Sequence, residues 1–229
     1  MKLTHISFLL LFGLMTNTYG ETKNPMSSSR LSQLSGEKDK SYDDKSKWDQ
    51  RYNKRSYIYG KQPAKFLAEN FDYIPKESSV LDMGMGEGRN AVFLALKGHK
   101  VTGVDISSVA VKKARNLAKE NKVKIKTVVG TLNKYQIAPE SFDVIICFYY
   151  VDRDLNKKMF KWLKPGGLLI YEANTTEQLK KLENAKTENK SYYLKPQELL
   201  KMFPDMKVLK YEEPIHEENF TASVILQKN

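Results

Sequence analysis

Asp82-Met83-Gly84-Met85-Gly86-Glu87-Gly88 follows the short apolar run Ser79-Val80-Leu81 and precedes Asn90 to Leu96, an apolar helical stretch stopped by Gly98. That order predicts a strand, a glycine loop and a helix. Three Gly at alternate positions let a ligand approach the backbone closely, next to a helix N-terminus. The dinucleotide fingerprint G-x-G-x-x-G would need Gly at position 89, where the chain has Arg89, and the phosphate-cradling G-K-S/T is also absent. Asp105 ends the next strand, Lys100 to Asp105, 21 positions after Gly84, where a carboxylate can accept both hydroxyls of a ribose. The ligand read from these residues carries a ribose and needs no phosphate.

Working outward, Ser107 is a good N-cap for a helix whose Ala110, Val111, Ala114, Leu117 and Ala118 share one face. Lys124 to Val129 alternates like an edge strand, and Phe142 to Phe148 reads as a buried one. Leu155, Met159 and Leu163 stand at helical spacing before Lys164-Pro165-Gly166-Gly167, and Leu168 to Tyr171 makes a fifth strand. Pro196 to Met202 reads as a short helix, and Lys207 to Tyr211 and Phe220 to Gln227 as strands. The gap between those two is too short for a helical crossover, so they pair antiparallel. The expected fold is α/β: a Rossmann-like three-layer sandwich with a seven-stranded, mostly parallel sheet and an antiparallel C-terminal strand.

The chain has 229 residues, 41% apolar and 28% charged, which excludes disordered, collagenous and disulfide-stapled classes. A single cysteine, Cys147, forms no internal bridge, and no Cys/His cluster suggests a metal site. Met1 to Gly20 has the layout of a signal peptide: basic Lys2, an apolar run from Ile6 to Met15, then a polar end with small residues before Glu21. Residues 21–46 are Ser-rich and mixed in charge, expected to be a disordered linker, and 47–229 fits one domain. The chain is expected to be exported, periplasmic or secreted, if the leader is used, and cytoplasmic if translation starts at Met26; no permanent membrane span is expected in the mature chain. The formal charge of +11 is concentrated between residues 107 and 135, where eight basic side chains face Glu120 alone. Aromatics do not interleave with them, which favours a solvated helix face over a nucleic-acid platform.

With these motifs in register, the chain resembles the class I S-adenosylmethionine-dependent methyltransferases over roughly residues 47–229. The resemblance rests on D-x-G-x-G-x-G at 82–88, the acid at 105, F-D-V-I at 142–145 and L-K-P-G-G at 163–167. Trp48-Asp49-Gln50-Arg51-Tyr52, Tyr57-Ile58-Tyr59-Gly60, Gln62-Pro63 and Gly88-Arg89-Asn90-Ala91 look like the tellurite-resistance and thiopurine-type members, which act on small molecules. The resemblance implies S-adenosylmethionine as cofactor. Gly84, Gly86 and Gly88 would carry its methionine part, Asp82 would hold the amino group, Asp105 the ribose hydroxyls, and Ile106 would pack on the adenine. Phe148 and Tyr149 would lie near the sulfonium methyl. The Asp that many relatives place after the third strand is replaced by Gly130-Thr131-Leu132, so Thr131 or the backbone of Leu132 would serve the adenine amino group.

Methyl transfer from a sulfonium is an in-line displacement in which the enzyme aligns the partners and excludes water. A thiolate, selenide or telluride needs no strong base, whereas an amine or hydroxyl does. Tyr149 and His216 are the candidate catalytic residues; His5 lies in the leader and His99 precedes a strand on the side away from the ligand. Tyr52, Tyr57 and Tyr59 are expected as an N-terminal lid, and Tyr150, Asp152, Arg153, Glu172 and Asn174 on the acceptor side. The expected partner is a small-molecule methyl acceptor; no DNA is expected, and RNA is disfavoured because the basic helix flanks the adenosine side. Two other readings stand beside this one: a non-catalytic binder of an adenosyl ligand, and a methyltransferase acting on RNA or protein. An exported chain would also be separated from a cofactor made in the cytosol.

Overall fold

The computed structural model describes residues 40–181, 189–214 and 220–229. The leader, the linker up to residue 39 and His216 lie outside these. Lys40–Asn229 forms a compact unit. That unit begins with α1 (Lys40–Tyr52) and α2 (Lys65–Asn70), then β1 (Ser79–Met83), α3 (Arg89–Leu96), β2 (Lys100–Asp105), α4 (Ser108–Glu120) and β3 (Lys126–Val129). It continues with β4 (Phe142–Phe148), α5 (Asn156–Trp162), β5 (Leu163–Asn174), α6 (Glu198–Met202), β6 (Met206–Glu212) and β7 (Thr221–Lys228).

The strands form one sheet in the order β3-β2-β1-β4-β5-β7-β6. β1 to β5 run parallel, and β7 is antiparallel to both β5 and β6. The strand order therefore reverses beside β1, leaving a crevice outside the carboxyl ends of β1 and β4. Alternation along β4 divides the core. Val144, Ile146 and Phe148 pack with Phe66, Leu67, Ala91 and Leu94 on one face, while Ile145 and Cys147 pack with Leu155, Met159 and Trp162 on the other. This is the three-layer α/β sandwich that the motif order predicts.

Several boundaries differ from the sequence reading, those of β3, β6 and β7 by one or two residues. The first helix starts at Lys40, inside the stretch read as linker, because Asp43–Lys47 and Lys45–Asp49 pair at helical spacing and its last turn docks through buried Tyr52. β5 is 12 residues long, since Leu163 already pairs with Phe142 and a register shift absorbs the Pro-Gly-Gly. Leu163 accordingly belongs to that strand, and the helix before it opens with a 3-10 turn, Arg153–Leu155. α6 begins at Glu198, after Gln197 in a left-handed conformation, rather than at Pro196.

Candidate functional site

The site is built where β1 passes into α3. Gly84, Gly86 and Gly88 all have positive φ, of 65°, 54° and 86°, so the loop curls with its backbone facing outward. Met85 anchors it by donating its N–H to the Val104 carbonyl at 3.1 Å, with its side chain over Gly103 of β2. A Cβ at Gly103 would lie 2.0 Å from the Met85 sulfur. Sequence reasoning passed over Gly103, although a glycine inside a strand signals such a close approach.

Two carboxylates lie under the loop. Asp82 is 1% exposed, faces the Ala91 N–H at the start of α3, and its Oδ2 has no partner. Burial, reinforced by the nearby charge of Asp105, pushes its pKa up to about 8. Asp105, at the end of β2, accepts the Gly86 N–H on Oδ2 and the Ser107 N–H on Oδ1, each at 2.8 Å. Burial raises its pKa to about 6, against the pull of those two N–H groups. It is therefore largely ionised at neutral pH, with lone pairs left to accept further donors.

A roof comes from the N-terminal segment. Tyr52 is buried with its hydroxyl 2.9 Å from where a Gly86 side chain would begin, and its ring stacks on Trp48. Asp49 of α1 accepts from the Ser107 hydroxyl at 2.6 Å and from the Val109 N–H at 3.3 Å, so it caps α4 from a distant part of the chain. Ser107 in turn accepts the Ala110 N–H, the capping role its sequence position predicts. Beyond α1, Glu87 fastens the strap: it accepts the Ile58 N–H and the Lys113 ammonium, each at 2.7 Å. Lys113 also donates to the Ser56 carbonyl, and the Tyr57 hydroxyl donates to the Lys113 carbonyl. Lys113 thus leaves the solvated face of α4, where Lys112, Arg115 and Lys119 remain exposed.

Glu87→Ala should strip an acceptor from Ile58 and a partner from Lys113, whose side chain is only 15% exposed. The expected cost is about 2–4 kcal/mol, with faster tryptic cleavage at Lys54, Arg55 or Lys61. Unchanged cleavage would show that Glu87 does not hold the strap.

On the acceptor side, the Tyr150 ring lies against Gly84, 3.0 Å from where a side chain would begin, and its hydroxyl meets Asp152 at 3.4 Å. Phe148 belongs to the core under α2 and α3, so the aromatic ring lying directly on the loop is that of Tyr150. Tyr149 is 46% exposed, with the Arg89 guanidinium 5.7 Å from its ring centre. Arg153 is tied to Glu198, Ser191 and Tyr193 and serves the packing of α6. After β3, Gly130 donates to the Asp105 carbonyl, the Thr131 carbonyl accepts two turn N–H groups, and the Leu132 side chain enters the core. Ile106 is half-buried beside Asp105. His99 is buried with Nδ1 unpartnered and precedes β2, at the amino end of the sheet. Among the described residues no cluster of His, Cys, Asp or Glu suits a metal ion, and no helix is long and apolar enough to cross a membrane.

Residues 80–167, which contain the loop, both carboxylates and β1 to β4, match the family model described as a methyltransferase domain. That segment is similar to the methyltransferase-domain family. The chain's similarity to named proteins reaches beyond that segment. It is 29% identical over 146 residues to a ubiquinone biosynthesis O-methyltransferase of Rickettsia akari, covering 56% of this chain and 58% of that one. The chain thus spans less than two thirds of the length of that relative. Its fold is shared with a SAM-dependent methyltransferase of Methanosarcina mazei, with a TM-score of 0.60 at 20% identity over 73% of this chain and 98% of the other. TehB of Haemophilus influenzae has a TM-score of 0.59 at 19% identity, over 81% and 67% of the two chains. The antiparallel β7, inserted between β5 and β6, distinguishes this sheet from an all-parallel one.

Proposed function

We propose that the protein transfers a methyl group from S-adenosylmethionine to a small-molecule acceptor. The observation that carries this reading is the buried, unpartnered Oδ2 of Asp82 beside the outward-facing glycine loop. A cationic amino group placed there supplies the missing donor and the missing charge together. Asp105 has the geometry to accept ribose hydroxyls, Ile106 offers an apolar flank for the adenine, and the segment Thr131-Leu132 lies at the adenine end. Phe148 forms the wall behind the loop, and Tyr149 stands at the acceptor mouth. The bound cofactor supplies an activated methyl carbon. The chain aligns it, and Tyr52, Tyr59 and Tyr150 restrict water.

A small acceptor is supported by the absence of any inserted module between the described strands of the 80–167 segment. One named relative is a ubiquinone biosynthesis O-methyltransferase; a soft acceptor such as a thiol, selenium or tellurium species would require alignment alone, and a hydroxyl or amine a proton acceptor as well. Calorimetric titration of the full chain with S-adenosylmethionine tests the cofactor, and absence of heat at millimolar ligand would overturn the reading. Release of labelled methyl onto acceptors separates an enzyme from a non-catalytic binder. Asp105→Ala should weaken cofactor binding by about 1–3 kcal/mol; an unchanged dissociation constant would remove Asp105 from the site.

A further inference from the structure

Tyr149 is held at φ 58°, a left-handed conformation unfavourable for a bulky residue. Backbone strain of this kind persists where surrounding contacts impose it, and here they do. The Tyr149 N–H donates to the Glu172 carbonyl at 2.8 Å, pinning the end of β4 to β5. Its hydroxyl is within electrostatic reach of both the Glu172 carboxylate and the Arg89 guanidinium, which lies 5.7 Å from its ring centre. Glu172 is 6% exposed, and its Oε2 accepts the Ser223 hydroxyl of β7 at 2.8 Å. The result is a half-exposed phenol at the mouth of the crevice backed by a buried carboxylate that has no ion-pair partner among the described residues.

Resting on the methyltransferase reading above, we propose that Tyr149 and Glu172 form a proton relay, and that the acceptor is therefore a hydroxyl- or amine-bearing small molecule. The acceptor oxygen or nitrogen forms a bond to the methyl carbon as the carbon–sulfur bond breaks, its electron pair staying on sulfur to give the neutral thioether. The acceptor proton passes to the Tyr149 oxygen while the Tyr149 proton passes to Glu172. No tyrosinate is required, which suits a phenol whose pKa burial drives upward. The groups facing Glu172 act in opposing directions: burial raises its pKa and Glu212 of β6 adds to the rise, while Tyr149, Ser223 and Arg89 of α3 lower it, with a net rise. A carboxylate poised upward in this way is a better proton acceptor than an ordinary surface glutamate. Tyr149 is the group that touches the acceptor, and Glu172 acts through it as a positioning residue.

The test uses the full-length wild type, Glu172→Gln, Glu172→Asp and Tyr149→Phe, with labelled S-adenosylmethionine and three acceptors: catechol, benzylamine and thiophenol. The Gln variant keeps an acceptor for Ser223, and circular dichroism checks that each variant is folded. Expected is turnover of catechol or benzylamine by the wild type, rising with pH as Glu172 loses its proton. In Glu172→Gln and Tyr149→Phe that rise should vanish, and kcat on the hydroxyl or amine should fall at least about a hundredfold more than kcat on thiophenol, which ionises unaided. Glu172→Asp should restore part of the pH-dependent limb. Transfer to thiophenol alone, equal losses on all acceptors, or an unaltered pH profile in Glu172→Gln would each overturn the relay while leaving the cofactor reading intact. Failure of the wild type to bind S-adenosylmethionine would overturn the methyltransferase reading itself.

Discussion

Asp82→Asn should make the unliganded protein more stable at alkaline pH while weakening its binding of S-adenosylmethionine by about 10- to 150-fold. The two effects have one cause. In the folded chain the carboxyl keeps its proton up to about pH 8, against 3.8 in the ordinary case. Its contribution to stability is therefore fully present below pH about 4 and is lost as pH rises through about 8. A tenfold displacement in proton affinity corresponds to about 1.4 kcal/mol, so ionising Asp82 in its buried place costs several kcal/mol. Asp105, raised to about 6, adds to the same trend at lower pH. Asp143 acts in the other sense: burial would raise it, but Lys164 and Ser79 hold it down to about 2, so its contribution is lost only as pH falls toward that value. Urea melts at pH 5, 7 and 9 should show the wild type weakening with pH and Asp82→Asn weakening less. The binding loss is that of a charge-assisted hydrogen bond, about 1.5–3 kcal/mol. Parallel stability curves for the two proteins would refute the account of Asp82.

Gly88→Ala should be among the most damaging single-methyl additions in the chain. Gly88 sits at φ 86° as the N-cap of α3, and a Cβ there would lie 2.6 Å from the Ala114 Cβ and 3.0 Å from its Cα on α4. The left-handed backbone costs about 1–2 kcal/mol and the overlap about 1–3 kcal/mol more. Melting should fall by roughly 5–15 °C for a domain of this size. Gly98→Ala is the control, because Gly98 has φ 90° and no atom within 4 Å of the added carbon. The difference between the two variants isolates the α3–α4 contact, and equal shifts would mean that the contact relaxes freely.

The sheet and the glycine loop were legible because period-two apolar runs, a cap at Ser107 and alternate glycines are local signals. So were the places of Asp82, next to last in β1, and Asp105, at the end of β2. What escaped were consequences of register and distance. Glu172 was placed on the acceptor side, but its partnership with Tyr149 depends on which residues of β4, β5 and β7 fall side by side, and Glu172 meets both Phe148 and Ser223 in that register. Composition hid the start of α1, since besides its own ion pairs it depends on Asp49 reaching Ser107, 58 positions on, and on Tyr52 reaching Gly86. The place of Tyr150 escaped for the same reason: alternation continues to the end of β4, and the left-handed Tyr149 then turns the following ring back over Gly84.

The distant cap that Asp49 places on α4 ties events in the chain's first helix to the residence time of whatever lies below it. Tyr52 of α1 rests on Gly86, so lifting α1 would uncover that part of the loop. Lifting exposes the Ser107 hydroxyl and the Val109 N–H but leaves the sheet intact, a local opening of lower free energy than unfolding. Ligand at a hundredfold excess over its dissociation constant would make that opening about 2.7 kcal/mol harder, visible as slower amide exchange in α1. Release of the spent cofactor, and with it the turnover rate, would then be governed by a carboxylate at the edge of the lid that never meets the reacting carbon.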